Sequence, residues 1–92
     1  MKASGITVSR PTAEELAQLS VDSWGSWSCE ASTFDWQYDE RETAYIQAGD
    51  VTVRAADGEE TRFGAGDLVV FPAGLKCSWV VDRAVQKLFR LG

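Results

Sequence analysis

Hydrophobic and polar residues alternate in short runs along most of the chain, which is the pattern of half-buried β-strands. Turn residues separate these runs at near-regular spacing from Trp27 onward. The runs predict strands at residues 34–38, 42–48, 51–55, 61–63, 67–71, 75–81 and 84–91. Many short strands with turns between them indicate an all-β sandwich or barrel.

The first part of the chain has a different pattern. Residues 5–8 predict a short strand, and a helix is expected to begin after Thr12, because Thr12 and Glu15 have the spacing of a capping box. Leu16, Leu19 and Val21 are expected to cover one end of the barrel. Residues 20–26 are interpreted as a loop around Gly25.

Three turn signals divide the predicted strands. Gly49-Asp50 is interpreted as a turn between two separate strands. Asp57-Gly58 predicts a hairpin with a type I′ turn, which requires positive φ at both central residues. Pro72 and Gly74 predict a corner, because proline fixes φ and glycine accepts positive φ.

Strand parity assigns the inward positions, because side chains two residues apart share a face. These inward sets are Leu75, Cys77, Trp79 and Val81 on one strand, Glu42, Ala44 and Ile46 on another, and Trp36 with Tyr38 on a third. On the last strand Val85, Phe89 and Leu91 share a face that Lys87 interrupts. In this register no cationic residue shares the face of Glu42.

Composition limits the classes of function. At 92 residues the chain is predicted to form one domain, residues 1–92. A net charge of −5 without a basic stripe argues against nucleic acid and anionic membranes as partners. No stretch is long and apolar enough for a signal peptide or a membrane span, so a cytoplasmic location with Cys29 and Cys77 reduced is expected.

Two stretches resemble cupin motifs. Gly66, Pro72 and Gly74 stand at the spacing of the second cupin motif, and the segment from Glu42 to Gly49 resembles the end of the first. The resemblance covers about residues 24 to 91 and is closest to small single-domain cupins related to the (S)-ureidoglycine aminohydrolase cupin domain. It implies an all-β fold, a cupin-type antiparallel jelly-roll β-barrel with one short N-terminal helix.

The metal ligands of that family are largely replaced. The positions of its histidines fall on Trp36, Tyr38 and Cys77, and the chain contains no histidine. A thiol, a phenol and one carboxylate, Glu42, form an unusual ligand set for zinc or manganese. We therefore expect no metal and no other cofactor.

The cupin register brings one set of side chains together inside the barrel. This predicted pocket consists of Trp36, Tyr38, Glu42, Cys77 and Trp79. A mostly apolar cavity with a few convergent polar groups is typical of a small-molecule site. A barrel this small can also be filled by its own side chains, and the sequence leaves both interpretations open.

Glu42 is the candidate catalytic residue, because a carboxylate among aromatic side chains can act as a general acid or base. It can equally pair with Arg41, Arg54, Lys76 or a tyrosine hydroxyl and only stabilise the fold. Cys77 has no histidine to activate it and is expected to be an inert buried thiol.

The resemblance implies a module that binds a small polar metabolite, an amino or ureido compound, inside the barrel without the usual histidine metal site. The alternative is an enzyme resembling (S)-ureidoglycine aminohydrolase, which hydrolyses a C–N bond and looks to use a metal that orients the substrate. A closed dimerisation domain is a third interpretation, and whether the chain is an enzyme stays open. Exposed strand edges and many aromatic residues predict a homodimer.

Overall fold

The computed structural model describes residues 5–92, most of which lie in antiparallel β-structure. Residues 1–4 of the predicted domain lie outside the described residues. In chain order the elements are β1 (Thr7–Ser9), α1 (Ala13–Leu19), a 3₁₀ turn (Val21–Ser23), β2 (Gly25–Cys29), β3 (Ser32–Gln37), β4 (Glu42–Ala55), β5 (Glu60–Gly64), β6 (Leu68–Phe71) and β7 (Lys76–Leu91). The expected all-β architecture with one short helix is confirmed.

The strands form one sheet in which β4 and β7 are neighbours and each pairs with three other strands. The order is β1-β6-β4-β7-β2, with β5 added beside β4 and β3 added beside β7. β7 pairs with β4 along nearly its whole length. On its other edge it pairs first with β3, through residues 76–81, and then with β2, through residues 85–89. Side chains from β2, β3 and β4 therefore meet over β7.

Two predicted strand breaks are wrong. Residues 42–55 form one strand, and Gly49-Asp50 is an irregularity in it, where the register with β7 shifts between Ile46 and Val51. Gly49 has a φ of +108°, which a glycine adopts without a steric penalty, so the chain bulges and continues in the same direction. Residues 76–91 are likewise one strand, because the polar residues near Asp82 stay extended and exposed.

The Asp57-Gly58 hairpin is confirmed, but its turn type differs from the prediction. Gly58 has a φ of +91°, whereas Asp57 does not have a positive φ. The Gly58 N–H donates to the Ala55 carbonyl, and the Ala55 N–H donates to the Glu59 carbonyl, both at 2.9 Å. The hairpin loop therefore has three residues, 56–58. Residues 55–58 form a β-turn, and Gly58 forms the bulge that follows it.

The helix begins as predicted. The Glu15 N–H donates to Thr12 Oγ1 at 3.1 Å, and the Thr12 N–H donates to Glu15 Oε1 at 3.0 Å, which is a complete capping box. The expectation that its leucines cover a barrel end is only partly met, since no helix residue is buried. The predicted loop at residues 20–26 is too long, because β2 already begins at Gly25. None of the described helices combines the length and the apolar character needed to span a membrane.

The core follows the predicted strand parity at most inward positions, but Trp36, which was predicted to point inward, is 53% exposed. Leu75, Cys77, Trp79 and Val81 are all buried, and Glu42, Ala44 and Ile46 are buried on β4. Aromatic rings dominate the centre: Phe71 stacks on Tyr38 at 4.7 Å between ring centroids, and Trp79 lies 5.7 Å from Phe71. Burial of these rings supplies a large hydrophobic contribution for so short a chain.

Candidate functional site

An aromatic cavity of about 270 Å³ lies where β2, β3 and β4 meet over β7. Its walls are largely apolar. We call it the aromatic cavity, and it is lined by Trp27, Phe34, Trp36, Tyr38, Glu42, Trp79, Lys87, Phe89 and Leu91. The barrel is therefore not completely filled by its own side chains.

Three rings make a rigid wall. Phe34 stacks on Trp79 with 6.0 Å between centroids, and Trp27 meets both of them edge-on at 6.2 Å and 6.0 Å. Such offset and edge-to-face contacts are the favoured aromatic geometries. Trp36 and Leu91 are 53% and 54% exposed and lie at the cavity's outer rim. The rim is thus apolar and open to solvent.

A buried ion pair supplies the charged groups of the cavity. Lys87 Nζ donates to Glu42 Oε2 at 2.6 Å, and the two side chains are only 9% and 8% exposed. The expectation that no cation shares the face of Glu42 is wrong. Lys87 has the same parity as Val85 and Phe89, so β7 directs it inward rather than out to solvent.

Aromatic rings surround the ammonium group of Lys87. Its Nζ lies 5.0 Å from the ring centroids of Trp27 and Trp79, and 5.4 Å from that of Phe89. Cations within about 6 Å of a ring face are attracted by its quadrupole. This cage and the Glu42 carboxylate together explain how a lysine is tolerated inside a small barrel, since lysine is almost never fully buried unless it is paired.

Tyr38 is held in place by the chain corner that was predicted at Pro72 and Gly74. The Gly74 N–H donates to the Tyr38 carbonyl at 2.6 Å, and the Tyr38 N–H donates to the Leu75 carbonyl at 2.9 Å. These two bonds fix the backbone just before β4 begins. The phenol ring is thereby placed against Phe71 and beside the cavity.

The Tyr38 hydroxyl is buried and has no hydrogen-bond partner among residues 5–92. Burial raises the pKa of Tyr38 well above its ordinary value, and the neighbouring charges of Glu42 and Cys77 raise it further. The nearby Trp79 indole lowers the pKa of Tyr38, although the indole N–H forms no hydrogen bond with any described residue. The phenol therefore keeps its proton at physiological pH.

Four of the five predicted pocket residues, Trp36, Tyr38, Glu42 and Trp79, line the aromatic cavity. Cys77 is buried but lies outside its wall. The Cys77 Sγ contacts the Trp36 carbonyl at 3.7 Å, beside a separate shallow depression. Cys77 is therefore not placed to contact a ligand in the aromatic cavity.

Sequence reasoning missed five lining residues: Trp27, Phe34, Lys87, Phe89 and Leu91. Phe34 has the parity of Trp36, and Lys87 interrupts an otherwise hydrophobic face, so both signals were present in the sequence. Trp27 was missed because no strand was predicted for residues 27–29, and the pairing of β2 with the end of β7 had no local signal.

The Cys77 thiol is expected to react slowly. Burial raises its pKa to about 11, and the carboxylate of Asp35 adds to this, so the reactive thiolate is scarce at neutral pH. Relative to its ordinary value of 9.0, such a shift lowers the thiolate population about a hundredfold. In a Cys29→Ser variant, a chromogenic disulfide reagent should therefore modify Cys77 slowly at pH 7.5 and rapidly after unfolding in guanidinium chloride.

The control is the Cys77→Ser variant, in which the reagent can modify only Cys29. Because Cys29 is half-buried, its rate of modification shows how readily the reagent reaches a more accessible thiol of the folded protein. Labelling of Cys77 in the folded protein as fast as in the unfolded chain would contradict the structure and would restore Cys77 as a nucleophile.

The metal site of the cupins is not reproduced by these side chains. Across residues 5–92 no three His, Cys, Asp or Glu residues are grouped so that they could hold a metal ion. Trp36, Tyr38 and Cys77 offer no imidazole, and one oxygen of Glu42 already accepts from Lys87. The described residues therefore do not fit such a metal.

Comparison with known proteins gives a consistent picture. A family model described as an EutQ-like cupin domain matches residues 16–89. The crystal structure of a DUF861 family protein from Thermotoga maritima is 45% identical, with a TM-score of 0.93, over 95% of this chain and 99% of that one. The Clostridium difficile EutQ protein is 20% identical with a TM-score of 0.68, over 94% of this chain and 66% of that one, and shows the fold alone. No curated protein matches the chain.

Proposed function

The chain belongs to the EutQ-like cupin domain family, and from that premise we propose that it binds a small polar metabolite, an amino or ureido compound, in the aromatic cavity of its jelly-roll barrel. The observation that carries the proposal is a carboxylate at the wall of an otherwise aromatic cavity. Sites of this kind combine apolar walls with a few polar groups that fix the orientation of the ligand.

The polar groups suit a ligand that both donates and accepts hydrogen bonds. Only one Glu42 oxygen accepts from Lys87, so within the described chain the other is available for an N–H of the ligand. The Lys87 ammonium donates one N–H to Glu42 and carries two more N–H donors for a carbonyl of the ligand. A ureido or amide group presents both N–H donors and a carbonyl acceptor, and its flat surface suits the rings of Phe34 and Trp79.

The second candidate function is hydrolysis of a C–N bond in a small ureido or amino acid, as in (S)-ureidoglycine aminohydrolase. It is favoured by the Glu42 carboxylate at the wall of the cavity, because a carboxylate can act as a general base. That family resembles enzymes in which a metal orients the substrate, but the described residues of this chain contain no group of side chains that could hold such a metal. Binding is therefore the proposal that we prefer.

A homodimer in the cytoplasm is part of the same proposal. The exposed Trp36 and Leu91 at the rim are the kind of apolar side chains that a second copy of the chain would cover. Short strands such as β1 and β5 lie at sheet edges, and edge pairing between copies is one way to protect them.

Thermal melting with a panel of small amines, amides and ureido acids tests the binding proposal. Ligand at a hundredfold excess over Kd should stabilise the wild type by about 2.7 kcal/mol, which for a domain of this size is on the order of 10 °C. The double variant Glu42→Gln/Lys87→Met should lose the shift, because it removes the polar anchor without leaving a lone buried charge.

Glu60→Gln is the matched control, because it removes a carboxylate from an exposed pair with Arg54 far from the cavity. It should keep the full ligand-dependent shift. If no compound of the panel raises the melting temperature of the wild type, the amino or ureido class is wrong.

A further inference from the structure

Lys87 places a primary amine inside an apolar cavity. The ion pair with Glu42 does not by itself explain why a lysine stands at this position. The chain has three lysines, Lys2, Lys76 and Lys87, and of the two described ones only Lys87 is buried. Its Nζ has one hydrogen-bond acceptor among the described residues, Glu42, although an ammonium group carries three N–H bonds. The rings of Trp27, Trp79 and Phe89 lie 5.0 to 5.4 Å from the Nζ.

We propose that the Lys87 amine condenses with a small aldehyde or ketone in the aromatic cavity to form a reversible imine. This goes beyond the binding function above and does not depend on the ligand class named there. An amine or ureide would occupy the cavity without covalent change, whereas a carbonyl compound would become attached to Lys87.

Glu42 is placed to move the proton that this chemistry requires. A lysine is nucleophilic only after its ammonium group loses a proton, and the Glu42 carboxylate lies 2.6 Å from Nζ. Transfer of one proton from Nζ to the Glu42 oxygen across this hydrogen bond exposes the lone pair of the Lys87 nitrogen.

The reaction then balances with Glu42 as the only proton carrier. The nitrogen attacks the carbonyl carbon, and the carbonyl π electrons move to oxygen, which takes the proton held by Glu42 and becomes a hydroxyl. The Glu42 carboxylate then takes a proton from the positively charged nitrogen. The hydroxyl leaves as water with the proton held by Glu42, while the nitrogen lone pair forms the C=N bond. The ammonium and the carbonyl compound have become a protonated imine and water, with no oxidant or reductant consumed.

The cavity also stabilises the product. A protonated imine carries the same positive charge as the ammonium it replaces, at nearly the same position. It is therefore stabilised by Glu42 and by the faces of Trp27, Trp79 and Phe89. A volume of about 270 Å³ restricts the partner to small carbonyl compounds, since a cavity of about 150 Å³ already holds a benzene ring.

Reductive trapping tests the proposal directly. The wild-type protein is treated with propanal and sodium cyanoborohydride at pH 7, and the N-propyl adducts are located by peptide mass spectrometry. We expect Lys87 to be modified at least tenfold faster than exposed Lys76 in the folded protein. In guanidinium chloride, where the cavity no longer exists, the two lysines should react at similar rates.

This comparison within one chain needs no variant that has to fold. Two variants extend it: Lys76→Arg should keep fast trapping at Lys87, and Lys87→Met should lose the fast adduct. Trapping of Lys87 no faster than that of Lys76 in the folded wild type would overturn the imine proposal. Because the amino and ureido panel is measured separately by melting, failure of one proposal is distinguishable from failure of the other.

Discussion

Replacing Lys87 with Met is expected to lower the free energy of unfolding by about 3 kcal/mol, because the Glu42 carboxylate would stay buried without a counter-charge. Methionine keeps the length and most of the volume of lysine, so the loss reports on charge rather than on a cavity. Glu42→Gln should cost a similar amount, since it leaves the Lys87 ammonium unpaired. Urea unfolding of each variant gives the values.

The double variant Glu42→Gln/Lys87→Met shows whether the stability losses of the two single variants are additive. It should lie within about 1 kcal/mol of wild type, because replacing a whole buried pair with apolar or neutral groups is often close to neutral. The control is the exposed pair of Arg54 and Glu60, at 2.6 Å, whose removal should cost less than about 1 kcal/mol. Single-variant losses that add in full would show that the pair is not coupled.

Gly49→Ala is expected to destabilise the fold by about 3 kcal/mol, through backbone strain together with a steric clash. Gly49 has a φ of +108°, and a Cβ added there would lie 2.6 Å from the Ala84 carbonyl oxygen and 2.7 Å from the Val85 Cα. Both of these are backbone atoms, which cannot move aside without breaking the pairing of β4 with β7. Thermal or urea unfolding measures the effect.

Gly58→Ala is the matched control. Its φ of +91° imposes comparable backbone strain, but an added Cβ would meet nothing within 4 Å among the described residues. It should therefore cost only about 1 kcal/mol. Equal losses for the two variants would mean that strain alone, and not the close approach of β4 and β7, makes Gly49 necessary.

Local signals were sufficient for much of the fold. The capping box at Thr12 and the corner at Pro72 depend on residues a few positions apart, and both are present. Strand parity also gave the buried face of β7 around Trp79 correctly. Features that depend only on neighbouring residues can be predicted from the sequence because their physical causes are local.

The errors arose where distant segments decide the structure. Gly49-Asp50 has the composition of a turn, but the pairing of β4 with β7 continues past it, and nothing near Gly49 in the sequence specifies that partner. Strand parity predicts that Lys87 points inward. The buried ammonium group is stabilised by Glu42 and Trp27, however, and both are far from Lys87 in the sequence. The candidate site was therefore predicted as a set of aromatic residues with a carboxylate and the Cys77 thiol, without the Lys87 cation.

The last strand in the chain, β7, determines when the sheet can assemble. β2, β3 and β4 all precede β7 in the chain, and each of them pairs with it. Partner residues such as Ser32 and Val81, or Gly25 and Phe89, are separated by most of the chain. Such a high contact order makes folding slow, because long loops must close before the pairing stabilises them. During synthesis on the ribosome, the edges of β2, β3 and β4 that pair with β7 would therefore stay unpaired until β7 emerged.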